Sequence, residues 1–134
     1  MIRRAFGALG LLMVSSFLTP PGAPADGSAQ DRAAAVMYVQ SIMAPAMLEV
    51  CKVALPDGAA RMDVALAQWR ERNQAPVAEG ERDLRAASAR DGVDLDRKLA
   101  SRRESLVRQL RAMEPAGRVE RCVTLIDILE HEAR

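Results

Sequence analysis

Two cysteines, Cys51 and Cys122, and a single histidine, His131, are the residues on which nucleophilic, redox or metal chemistry would have to rest in this 134-residue sequence. Neither cysteine has a second cysteine or a histidine at metal-ligand spacing, so pairing with each other is the expected chemistry. Such a bridge closes a loop of about 70 residues and, by restricting the unfolded chain, contributes about 4 kcal/mol. It also consumes both thiols, leaving no sulfur nucleophile. Asp127-x-x-x-His131 has the spacing of two ligands on one helix face. If residues 51 and 122 meet across antiparallel helices, position 131 falls near 42 and beside Met43, a methionine–histidine pairing of the kind that ligates haem inside four-helix bundles. Helical geometry opposes it. Nine residues at about 100° each turn His131 half a revolution away from the Cys122 face. The histidine is therefore expected in solvent, and no metal or cofactor is assigned.

Catalytic groups are otherwise sparse. Gly-x-Ser-x-Gly, a phosphate-cradling glycine loop and His-Glu-x-x-His are absent. The acid pairs Asp94/Asp96 and Glu130/Glu132 are two residues apart, so on a helix they point in different directions. No catalytic residue is assigned, and a non-catalytic protein is expected.

Three features could instead serve recognition. Trp69, beside Arg70 and Arg72, has the make-up of an interface anchor, although in a chain with so few aromatics it suits a core plug better. The basic run on 94–111 includes Arg102 and Arg103 and reads as a solvated helix face able to meet an acidic protein. Trp69, Arg102 and Arg103 are accordingly the candidate partner surface. Met37, Met43 and Met47 read first as core filling, and otherwise as an adaptable groove or the lining of a cavity for an apolar ligand.

Residues 1–25 have the form of a cleaved signal peptide. Arg3 and Arg4 precede an uncharged stretch, 5–18, which is too short for the roughly 20 residues that span a bilayer. Helix-breaking Pro20, Pro21 and Gly22 follow, and then Ala23-Pro24-Ala25, the small-x-small pattern before cleavage at Asp26. An even cysteine count in the remainder agrees with export to the periplasm or beyond. Of the 19 basic residues two lie in the leader, leaving 17 against 18 acidic ones, a net charge of −1, so the mature chain has no positive charge excess with which to hold nucleic acid or an anionic membrane. Stable membrane insertion after cleavage is not expected.

The elements that must position these residues are helical. Alanine, leucine, arginine and methionine dominate, and period-two alternation does not occur over any useful length. Ser28-x-x-Asp31 can cap a first helix that is apolar on nearly every side from Ala33 to Leu55, with Pro45 expected to kink or divide it. Pro56-Asp57-Gly58 is a turn whose Asp57 is placed to cap a second helix, 59–73, with Met62, Ala65, Leu66 and Trp69 on one face. Residues 73–76 break the chain before a weaker helix, 76–90, further weakened by Gly80. After Asp91-Gly92 and a cap at Asp94, Leu95, Leu99, Leu106, Leu110 and Met113 mark an amphipathic helix over 94–113. A break at 114–117 leads to a last helix with Val119, Cys122, Val123, Ile126 and Leu129 turned inward. The expectation is one all-α domain over 26–134, a small antiparallel bundle of four to five helices with the first and last joined by the disulfide. The small stress chaperones of the bacterial envelope are also exported and helical, but their repeated Leu-Thr-x-x-Gln motif is absent here. By elimination, the expected role is binding a macromolecular partner, an envelope or secreted protein. A carrier of an apolar ligand is the second expectation, and a small enzyme with an acid-pair site the third.

Overall fold

The computed structural model describes residues 28–131; the stretch read as a signal peptide, and the cleavage expected before Asp26, lie outside them. Five α-helices follow in order, α1 Ala29–Ala54, α2 Ala59–Arg72, α3 Gln74–Arg90, α4 Leu95–Ala112 and α5 Pro115–His131, with one 3-10 turn at Pro56–Gly58 before α2. They pack as a bundle, and the described residues contain no strand.

α1 is the axis. It touches all four other helices, with α3 and α4 paired beside its first half and α2 and α5 beside its second. An apolar helix of this kind must be surrounded, and two core clusters surround it. One joins Ala35, Tyr38 and Met43 to Leu84 of α3 and to Leu95 and Leu99 of α4. The other joins Ala44, Leu48 and Cys51 to Met62 and Trp69 of α2 and to Cys122, Ile126 and Leu129 of α5. By length and composition α1 could cross a membrane, but in this fold it is the core helix.

The start of α1 is a reciprocal capping box: the Asp31 amide donates to Ser28 Oγ at 3.1 Å, and the Ser28 amide donates to Asp31 Oδ2 at 2.9 Å. Pro45 does not divide the helix, which runs unbroken to Ala54. Buried Ala44 and Leu48 on either side hold the chain in register, so packing outweighs the one lost backbone bond. Asp57 makes no cap. The Pro56–Gly58 segment is itself wound into a 3-10 turn, which leaves Gly58 at the boundary of α2 and Asp57 exposed.

The break expected over 73–76 narrows to Asn73. Its side-chain amide donates to the Trp69 carbonyl at 2.8 Å, closing α2, and α3 starts at the next residue. Pro76 is accommodated because the first turn of a helix has no use for its missing N–H. α3 ends in a Schellman motif: Gly92 takes a φ of +66°, its amide donates to Ala89, and the Val93 amide donates to the Ser88 carbonyl at 2.8 Å. Asp94 then caps α4 by accepting from the Arg97 amide at 3.0 Å.

Gly80, read from the sequence as a weak point, is instead where α3 lies directly against the backbone of α1. A Cβ there would stand 2.9 Å from the Ala35 nitrogen and closer still to the Ala34 carbonyl, and both alanines are buried. The last helix begins at Pro115, inside the stretch expected to be a break, and Val123 faces solvent at 46% exposure while Cys122, Ile126 and Leu129 face inward. One residue is a 100° step, enough to carry Val123 off the buried stripe.

Candidate functional site

The disulfide between Cys51 and Cys122 joins α1 to α5, with Cα atoms 5.5 Å apart. Both cysteines are buried. Residues 40–47 of α1 and 121–128 of α5 share one groove on the other side of that bond, so the two helices run antiparallel. A structural disulfide belongs to an oxidising compartment, and the apolar N-terminal stretch of the sequence is compatible with a signal peptide.

Arginines lock the surrounding helices. Arg61 of α2 forks onto Glu130 of α5 with two 2.7 Å bonds, and Arg72 donates to the Leu129 carbonyl at 2.6 Å. Arg118 of α5 donates to the carbonyls of Leu110, Arg111 and Met113, the acceptors left open where α4 ends. Arg85 of α3 meets Glu81 at 2.9 Å, Asp96 at 3.2 Å and the Tyr38 hydroxyl at 3.3 Å. Burial pushes the Tyr38 phenol upward, against a smaller opposing pull from Arg85.

Ligand atoms of Asp127, Glu130 and His131 lie within 4.8 Å of one another. Arg61 already occupies Glu130 and stands 4.0 Å from Asp127, while His131 is exposed with Nδ1 2.9 Å from the Asp127 carbonyl. The group functions as an ion-paired clasp between α2 and α5. Hydrogen bonding to Arg61 holds the Glu130 carboxyl below the ordinary glutamate value. A depressed folded-state pKa stabilises above the unfolded value, and that stabilisation disappears as pH falls through the folded one. Melting temperature should therefore drop more for the wild type than for Arg61→Ala between about pH 7 and about pH 3. Parallel slopes in calorimetry at both ends of that range would remove the clasp from the account.

Trp69 does not share a surface with Arg102 and Arg103. It is fully buried in the second core cluster, and its indole Nε1 has no hydrogen-bond partner among the described residues. Arg102 and Arg103 are exposed on α4. On α4, Arg108 lies 3.9 Å from Glu104, and Asp94 is occupied as the helix cap. Met43, buried against Tyr38 and Leu84, belongs to the first core cluster, and exposed His131 does not.

An adaptable groove is only the second reading of Met37, Met43 and Met47 in the sequence; in the fold Met43 and Met47 line one, together with residues of α4 and α5. α4 and α5 flank α1 without closing over it, and three depressions run together along the gap. Beside α4 the first, about 440 Å³, includes Val39, Leu99, Arg102 and Leu106. Leu106 and Gln109 continue into a second of about 260 Å³, with Leu110 and Met113. Met47 and Arg121 continue into a third of about 240 Å³, between Met43 of α1 and Leu125 and Ile128 of α5. Met113 and Ile128, which line the groove, are each 37% exposed.

Comparison with family models, curated proteins and solved structures yields no match. The chemistry must be read from the groove itself. Its lining contains three cations, Lys98, Arg102 and Arg121, and no carboxylate. None of the three forms an ion pair among the described residues, whereas Lys52, Arg61 and Arg85 all do, at 2.7–3.2 Å.

Proposed function

We propose that this is an exported, non-catalytic helical protein, periplasmic or released from the cell, that works by binding a macromolecular partner. The observation that carries the reading is the methionine-floored groove left open between α4 and α5. Methionine adapts its shape to a partner's side chains at little cost, which suits a docking surface. A closed disulfide leaves neither cysteine as a nucleophile, and the acids beside the lone histidine are held by Arg61, so catalytic chemistry has few groups to draw on.

A photo-reactive residue at Gln109, in the groove, tests this in the cells that make the protein, with Glu71 on the exposed face of α2 as the control position. The expected result is a defined protein adduct from position 109 and none from 71. Native mass spectrometry of the unreduced protein from the same cells should give the mass of 26–134 less two hydrogens. A persistent small-molecule adduct with no protein cross-link would replace the reading with that of an apolar-ligand carrier.

A further inference from the structure

We infer that the groove between α4 and α5 receives an amphipathic helix from an acidic protein, with its apolar face on the methionine floor and its carboxylates against Lys98, Arg102 and Arg121. This rests on the partner-binding reading above and names the partner's chemistry.

Charge supplies the first argument. The mature chain is almost neutral, and at three places away from the groove Lys52, Arg61 and Arg85 have carboxylates within 2.7–3.2 Å. The groove's lining holds three cations and no carboxylate, two of them at one end and the third where the second depression passes into the third. Lys98 and Arg102 lie on the first half of α4, and Arg121 lies beside Met113 where α4 ends. An acidic ligand is steered to such a site and fixed in register there, and a basic one is repelled.

Length and shape supply the second. From Lys98 to Met113 the α4 wall rises about 22 Å, the length of four turns of helix. The trough is open to solvent along that length. An acyl chain in it would stay wet on one side, whereas a helix needs only one apolar face covered, the arrangement of helix-in-groove recognition. The chain's own N-terminal stretch is ill suited to cover it, because it carries Arg3 and Arg4 and no carboxylate before Asp26.

The test uses the oxidised protein as the cell releases it and a labelled helical peptide of about 18 residues. The peptide carries leucines at i, i+4, i+7 and i+11, with glutamates flanking them; a second version has lysines in place of the glutamates. Fluorescence anisotropy should show the acidic peptide binding at least about tenfold more tightly, with the advantage shrinking between about 0.05 M and about 0.3 M salt. The double variant Arg102→Glu/Arg121→Glu should reverse the preference. Neither arginine makes an ion pair among the described residues, so the variant should fold, as its melting temperature will report. Equal binding of both peptides, or an unchanged preference in the double variant, overturns the inference. So does a dimer in native mass spectrometry that blocks the peptide, or displacement of the peptide by anionic lipid vesicles. If position 109 cross-links a protein through a basic segment, the acidic-helix inference fails and the partner-binding reading stands. If position 109 cross-links no protein, the broader reading fails too.

Discussion

Replacing both cysteines, Cys51→Ala/Cys122→Ala, should cost about 4 kcal/mol of stability and lower the melting temperature by roughly 15 °C or more. The bridge spans 71 residues, so without it the unfolded chain regains the entropy of an open loop of that length. A domain of this size has a total stability of about 5–15 kcal/mol, so the loss takes a large share. Location adds to it. Both cysteines are buried among Leu48, Met62, Trp69 and Leu129, in the cluster that fastens α2 and α5 to the second half of α1. Scanning calorimetry with and without reductant is the check. Wild type should lose stability on reduction, and the double alanine variant should be indifferent to reductant. Coincident melts of oxidised and reduced wild type would show that the bridge holds nothing that packing does not already hold.

Gly80→Ala should be nearly as damaging, with a loss of about 3 kcal/mol and a melting temperature lower by about 12 °C or more. Alanine ordinarily improves a helix interior by about 1 kcal/mol over glycine. Here the new methyl meets the backbone of Ala34 and Ala35, which cannot rotate away as a flexible side chain would. α3 would have to move off α1 and loosen the cluster of Ala35, Tyr38, Leu84 and Leu99. Two other glycines give the scale. At Gly117 an added Cβ would find only the mobile end of Met113, at 3.5 Å, so alanine there should be neutral or stabilising by up to about 1 kcal/mol. At Gly92 the space is open but φ is +66°, which should cost about 1 kcal/mol. The expected order of melting temperatures is Gly117→Ala at or above wild type, then Gly92→Ala, then Gly80→Ala. A Gly80→Ala protein melting with the wild type would mean that α1 and α3 do not cross so closely.

The helices themselves were legible in the residues. Apolar spacing along 95–110 and 122–129, the Ser28 and Asp94 caps and the Asp91-Gly92 stop are local signals, each set by a few neighbouring residues. The pairing of Cys51 with Cys122 was legible for a different reason: a chain with two cysteines has one intramolecular disulfide to make. That pairing in turn sets the first and last helices side by side.

Signals of comparable look misled wherever a distant segment decided the outcome. Gly80 has the same local meaning as any helical glycine until the α1 backbone is laid against it. Trp69 between polar neighbours reads as a core plug before an interface anchor, yet the sequence still groups it with Arg102 and Arg103, and only its enclosure by Leu48 and Leu129 settles it as core. Arg118 is one arginine among many in the sequence, yet its three bonds to the end of α4 help position the turn that leads into α5.

The groove lies furthest from the sequence. Met47, Leu106 and Arg121 are separated by tens of residues, and each sits in an ordinary amphipathic pattern. Sequence alone determined the helices, the ends marked by Ser28, Asp91-Gly92 and Asp94, and the covalent staple, because those depend on short-range geometry and on cysteine count. Tertiary structure alone decided which apolar side chains stayed uncovered and which cations stayed unpaired, because burial and ion pairing depend on how five helices divide the surface of one.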